Sequence, residues 1–95
     1  MPVIQINYDL KKHKDYPVLF QSIKALGPWC HALDSCWFVY TPLNAVATRD
    51  QLLIAIDSDD VLLVNTVSVT ESTAWRNLPA AVSNWLKSYL TGAYA

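Results

Sequence analysis

Ninety-five residues are enough for one compact domain and too few for two, and a composition 53% hydrophobic and 16% charged excludes a disordered chain. Seven Lys and Arg against eight Asp and Glu give a net charge of −1, which argues against the positive field that strong, non-specific nucleic-acid binding needs. No apolar run approaches the roughly 18–20 residues of a membrane helix. The opening residues have neither a basic lead nor an unbroken apolar stretch, so the expectation is a cytoplasmic protein without membrane association.

Val3 to Tyr8 alternates as a first strand, with Ile4, Ile6 and Tyr8 on one face and Val3, Gln5 and Asn7 on the other. Asp15 can cap a helix running to about Leu26, its stripe being Leu19, Phe20, Ile23 and Leu26, and Gly27-Pro28 stops it. Trp29 to Leu33 and Cys36 to Thr41 read as two strands around an Asp34-Ser35 turn. A two-residue turn pairs Leu33 with Cys36 and Cys30 with Val39, so the two cysteines fall out of register for a disulfide. Thr41-Pro42 opens a second helix to about Ile56, Asp57 to Asp60 is a turn, and Val61 to Val69 is a fourth strand. Glu71 to Arg76 is a loop. Asn77 caps a last helix with Leu78, Val82, Trp85, Leu86 and Tyr89 on one face, which predicts a docked helix with Trp85 buried.

The expected fold class is α+β: a single ferredoxin-like βαββαβ sandwich over residues 1–95, with an extra C-terminal helix. Right-handed crossovers place the first strand between the third and fourth. The second helix carries two apolar stripes, one of Ala45, Thr48, Leu52 and Ile56, the other of Leu43, Val46, Ala47, Leu53 and Ile54. A helix apolar on two sides is buried on two sides, and a short chain this rich in apolar surface suits a homodimer.

The topology gathers at one end of the sheet the loop after the first strand, the Asp34-Ser35 turn and the Asp57 to Asp60 turn. Asp9 closes the first strand, while Asp59 and Asp60 precede its antiparallel neighbour, so the three could supply oxygen ligands to a hard divalent cation such as Mg²⁺ or Mn²⁺. The same residues also read as an ordinary polar turn and a strand-ending aspartate. Lys11, Lys12 and Lys14, ahead of a helix N-terminus, are candidate phosphate-binding residues or part of a solvated loop, and His13 within them is a candidate acid–base group. His31 reads as a hydrogen-bonded, part-buried side chain, and Cys30 and Cys36 as small core residues. With glycine only at 27 and 92, a glycine-rich phosphate cradle is excluded. Trp37 and Phe38 read as core rather than as a base-stacking platform.

Tyr8-Asp9-Leu10 and Ser35-Cys36-Trp37-Phe38-Val39-Tyr40 resemble the strand ends of the small ferredoxin-fold CRISPR-associated endoribonucleases. The stretches Ile6 to Leu10, Ile23 to Trp29, His31 to Trp37 and Asp59 to Val64 are more similar still to bacterial proteins labelled SinR family, in the same structural superfamily and distinct from the helix-turn-helix repressor of that name. The resemblance covers about residues 3–67 and a Trp-containing C-terminal segment. It implies a homodimer, nucleic acid as partner, and a metal-binding, catalytic role for Asp9. That family ends in a further strand where this sequence predicts a helix.

Two functional readings follow. One is a nucleic-acid-associated homodimer acting as a divalent-metal-dependent nuclease. The other is a non-catalytic regulator or adaptor, an antitoxin or a defence-related binding protein with a protein partner, and the acidic balance and incomplete catalytic set favour it.

Overall fold

A computed structural model describes residues 1–11 and 16–94. Strand β1 (Val3–Asp9) lies at the centre because both of its faces are apolar where they need to be: Val3, Ile4, Ile6 and Tyr8 are all buried. It pairs antiparallel with β3 (Cys36–Tyr40) on one side and β4 (Val61–Val67) on the other. Strand β2 (Trp29–Leu33) pairs with β3, giving a four-stranded antiparallel sheet of order β2-β3-β1-β4.

Helix α1 (Tyr16–Lys24) and helix α2 (Ala45–Leu52) cover one face. Leu19, Ile23 and Leu52 pack with Ile4, Ile6, Tyr8, Trp37 and Val39 into the first core. Helix α3 (Ala80–Tyr89) covers part of the opposite face, where Val82, Leu86 and Leu90 meet Val3, Cys30, Ala32, Cys36 and Phe38. The alternation of β1 thus divides one strand between two cores. The chain is compact, with a radius of gyration of 13.1 Å. No helix among the described residues is long and apolar enough to cross a membrane.

Gly27 ends the first helical segment with φ at 151°, and a Cβ there would run into the Tyr40 carbonyl oxygen, so backbone freedom and lack of a side chain are both required. Leu26, just past α1, remains buried as the helical stripe predicts.

Several boundaries differ from expectation. Helix α2 begins after Asn44, whose Oδ1 accepts the Ala47 N–H at 2.8 Å, because Thr41 still donates its N–H to the Pro2 carbonyl. Its last turn tightens to a 3-10 segment, Leu53–Ala55. Strand β4 stops at Val67, and Ser68 Oγ then accepts the Glu71 N–H. Cys30 pairs with Phe38, not Val39: the Leu33–Cys36 pairing is as expected, but a bulge at Ala32 shifts the rest by one residue. Both cysteines are free and buried. The loop expected over 71–76 contains a short strand, β5 (Thr73–Ala74), parallel to β6 (Ala93–Tyr94). Gly92 is buried against the Thr70 and Glu71 carbonyls and leaves no room for a side chain.

Asn77 does not cap α3. It takes a left-handed backbone, φ 65°, which asparagine tolerates, and the helix starts after Pro79, whose carbonyl accepts the Ser83 N–H. Helix α3 is docked through Val82, Leu86 and Leu90. Trp85 is only partly buried, its ring 4.3 Å from that of Tyr89, and so does not anchor the helix.

Candidate functional site

The three loops expected at one end of the sheet do meet there. The Tyr8 N–H donates to the Ser35 carbonyl at 3.2 Å and its hydroxyl to the Asp34 carbonyl at 2.9 Å, which joins the β2–β3 turn to the end of β1. The Lys11 N–H donates to Asp60 Oδ1 at 2.8 Å, which joins the loop after β1 to the turn before β4. That turn is closed on itself: Asp57 N–H donates to Asp60 Oδ2 at 2.8 Å, and Asp60 N–H returns to the Asp57 carbonyl at 3.1 Å.

The carboxylates of Asp57, Asp59 and Asp60 each offer an oxygen, and these lie no more than 4.8 Å apart. Asp57 is the member that sequence reasoning left out. Its signal was the three-residue spacing to Asp60, which the turn converts into a reciprocal pair of hydrogen bonds. Asp9 ends β1 opposite Val61 and belongs to the same corner, but its carboxylate is held by a lysine: Asp9 Oδ2 and Lys11 Nζ are 2.9 Å apart, both side chains exposed. The Asp9 hydrogen bond and charge, with smaller contributions from Asp59 and Asp60, raise the Lys11 pKa above its usual value of 10.5. Lys11 is therefore an exposed cation paired within an acidic corner, and a phosphate would compete with Asp9 for it. Lys12, His13 and Lys14 lie outside the described residues.

All ligand atoms offered here are carboxylate oxygens, the donors hard divalent cations prefer. Asp60 already accepts a backbone N–H on each oxygen. The donor set fits a hard cation. Asp9, paired with Lys11, lies outside that group of three carboxylates.

No family model, curated protein or solved structure matches the chain.

A second group of chemistry-bearing residues lies along α1 and β2. His31 stacks on Trp37 with centroids 4.1 Å apart, and its Nε2 lies 3.1 Å from the Asp34 carbonyl. Phe20 meets the His31 ring edge-on at 5.2 Å, so His31 is fixed between aromatics and is the part-buried, hydrogen-bonded side chain expected. Trp37 and Phe38 are buried and offer no face to a base. Trp29 at the sheet edge is exposed, and Lys24 Nζ sits 4.7 Å from its ring centroid. The sequence reading passed over this pair because it depends on α1 ending beside the start of β2.

Proposed function

We propose that the chain is a ferredoxin-like domain with an added C-terminal helix, and that it works as a homodimeric, nucleic-acid-associated protein with divalent-metal-dependent nuclease activity. The strand order β2-β3-β1-β4, with two helices on one face, supports the fold. The observation that carries the function is the acidic corner: Asp57, Asp59 and Asp60 within 4.8 Å, tied by the Lys11–Asp60 hydrogen bond to the strand that ends in Asp9. Resemblance of the Tyr8-Asp9-Leu10 segment to the CRISPR-associated endoribonucleases, and of the longer stretches to SinR-family proteins, points the same way.

The residues that would hold Mg²⁺ or Mn²⁺ are Asp59 and Asp60 with Asp57 beside them, and Asp9, at the same corner, would be the further, catalytic carboxylate. A metal bound there supplies charge stabilisation to a phosphoryl oxygen. Lys11 pairs with the Asp9 carboxylate; a cation would take the place of Lys11 at Asp9, whereas a substrate phosphate would take the place of Asp9 at Lys11. Lys24 beside exposed Trp29 gives a second contact for a strand with unpaired bases, since stacking and a nearby cation are what such strands use.

The test is cleavage of single- and double-stranded RNA and DNA with Mg²⁺, with Mn²⁺ and with chelator, over several pH values. Metal-dependent cleavage is expected. No cleavage under any of these conditions favours the second reading, a non-catalytic regulator or adaptor, which one observation supports: Val46 on α2 and Leu53 and Ile54 in the 3-10 turn after it are exposed apolar residues, as on a protein-binding surface.

A further inference from the structure

The two edges of the sheet are built differently. Strand β2 is five residues long, follows Pro28, is broken by the bulge at Ala32 and carries Lys24 over its first residue. These features blunt an edge against pairing. Strand β4 has none of them. Its seven residues, Val-Leu-Leu-Val-Asn-Thr-Val, include no charge, proline or glycine, and all seven pair with β1 without a register break. Its other side pairs with no strand among the described residues. Alternate N–H and C=O groups of such a strand point outward.

Apolar surface flanks this edge on both faces of the sheet: Val61 and Leu63, paired with Asp9 and Asn7, lie on the face away from α2, and Val46, Leu53 and Ile54 lie on the helical side. Leu63 is 63% exposed and Ile54 90%, with Val46, Leu53 and Val61 about half exposed. A groove of about 250 Å³ runs between α2 and β4, lined by Ala45, Val46, Arg49, Leu62, Leu63 and Val64. Arg49, one of its lining residues, forms an exposed ion pair with the adjacent Asp50, Nη2 to Oδ1 at 2.8 Å.

We propose that a second copy of this chain covers this edge, β4 pairing antiparallel with the same strand of the partner across a two-fold axis to form one eight-stranded sheet, with the two α2 helices side by side. A strand paired antiparallel with itself needs only one self-complementary surface, which is the condition for a closed dimer. Arg49 and Asp50 give the patch both signs and no net charge, so reversing α2 against itself sets each cation near the other copy's anion. An edge about 23 Å long and about 20 Å deep through strand and helix buries roughly 900 Å² in total, just under the ~1,000 Å² floor for a stable interface, so the dimer is a weak, concentration-dependent one. The inference rests on the homodimer reading above and not on nuclease activity.

The experiment is sedimentation velocity from about 1 to 300 μM on the wild type and on Leu63→Lys, Ile54→Lys and, on the opposite edge, Leu33→Lys. All three side chains are mostly exposed, and far-ultraviolet circular dichroism verifies that each variant is folded. Expected is a reversible wild-type dimer, weakened at least tenfold by Leu63→Lys and by Ile54→Lys and unchanged by Leu33→Lys. As a second readout, Asn65→Cys cross-links the pair under oxidation whereas Ser88→Cys on α3 does not. A wild type monomeric at 300 μM overturns the homodimer reading and this interface together. A dimer indifferent to Leu63→Lys and Ile54→Lys, or broken by Leu33→Lys, overturns the interface and leaves the homodimer standing.

Discussion

The indole N–H of Trp37 donates to the hydroxyl of Tyr8 at 3.1 Å, and that hydroxyl donates onward to the Asp34 carbonyl at 2.9 Å. The buried rings on the central strands thus hold the β2–β3 turn at the end of β1, where the acidic corner begins. Tyr8→Phe keeps the ring and removes the link, leaving the Trp37 N–H buried without an acceptor. The variant should lose about 1–3 kcal/mol of stability in urea denaturation.

Thr48 on α2 is fully buried, and its hydroxyl has no hydrogen-bond partner among the described residues. Thr48→Val preserves the branched shape and removes the unsatisfied group. It should therefore stabilise the protein by on the order of 1 kcal/mol. A melting temperature above that of the wild type is the expected reading.

Leu86 should matter more than Trp85 for holding α3. Leu86 is 1% exposed in the second core, whereas Trp85 is only partly buried beside Tyr89. Leu86→Ala should cost about 2–5 kcal/mol and Trp85→Ala clearly less, as measured by chemical denaturation of both.

Burial pushes the Cys30 thiol from its ordinary 9.0 up to about 12, the Phe38 backbone hydrogen bond opposing this only in part. The unfolded thiol ionises first, so between pH 9 and 12 the native state binds more protons than the unfolded state and stability falls as pH rises. The loss is absent below pH 9 and reaches up to about 4 kcal/mol at about 1.4 kcal/mol per pH unit. Desolvation likewise raises the Tyr8 phenol above 10.0, adding a loss of the same sign at higher pH. Denaturation midpoints from pH 8 to 10 should decline for the wild type and less steeply for Cys30→Ala. Alkylation of Cys30 at pH 8 should be slow until the protein is unfolded.

The strands of the main sheet were legible because their residues obey a strict period of two against buried partners: Ile4, Ile6 and Tyr8 could face only one way. The bulge at Ala32 was not, since alanine carries no signal of its own; Trp29 and His31, ahead of it, both pack on Trp37. The pairing of β5 with β6 was hidden for a similar reason: two residues against two, brought together by the return of the chain after α3. Asn77 looked like a cap by residue type, but Pro79 fixes the backbone two residues later. At the corner, Asp9, Asp59 and Asp60 could be placed from topology. That Lys11 would bind Asp9 and hand its N–H to Asp60 depended on the path of a loop, which sequence patterns do not encode.

Cleavage by Asp9→Ala, measured beside the wild type on the same RNA and DNA substrates with Mg²⁺ or Mn²⁺, tests the nuclease reading most directly. Asp9 is exposed and touches Lys11 alone among the described side-chain contacts, so the variant should fold with an unchanged circular dichroism spectrum. The account predicts metal-dependent cleavage by the wild type, abolished in Asp9→Ala and reduced less in Asp59→Ala, since neighbouring carboxylates remain at that turn. Wild-type-like cleavage by Asp9→Ala, or none by the wild type at any pH with either metal, would contradict it.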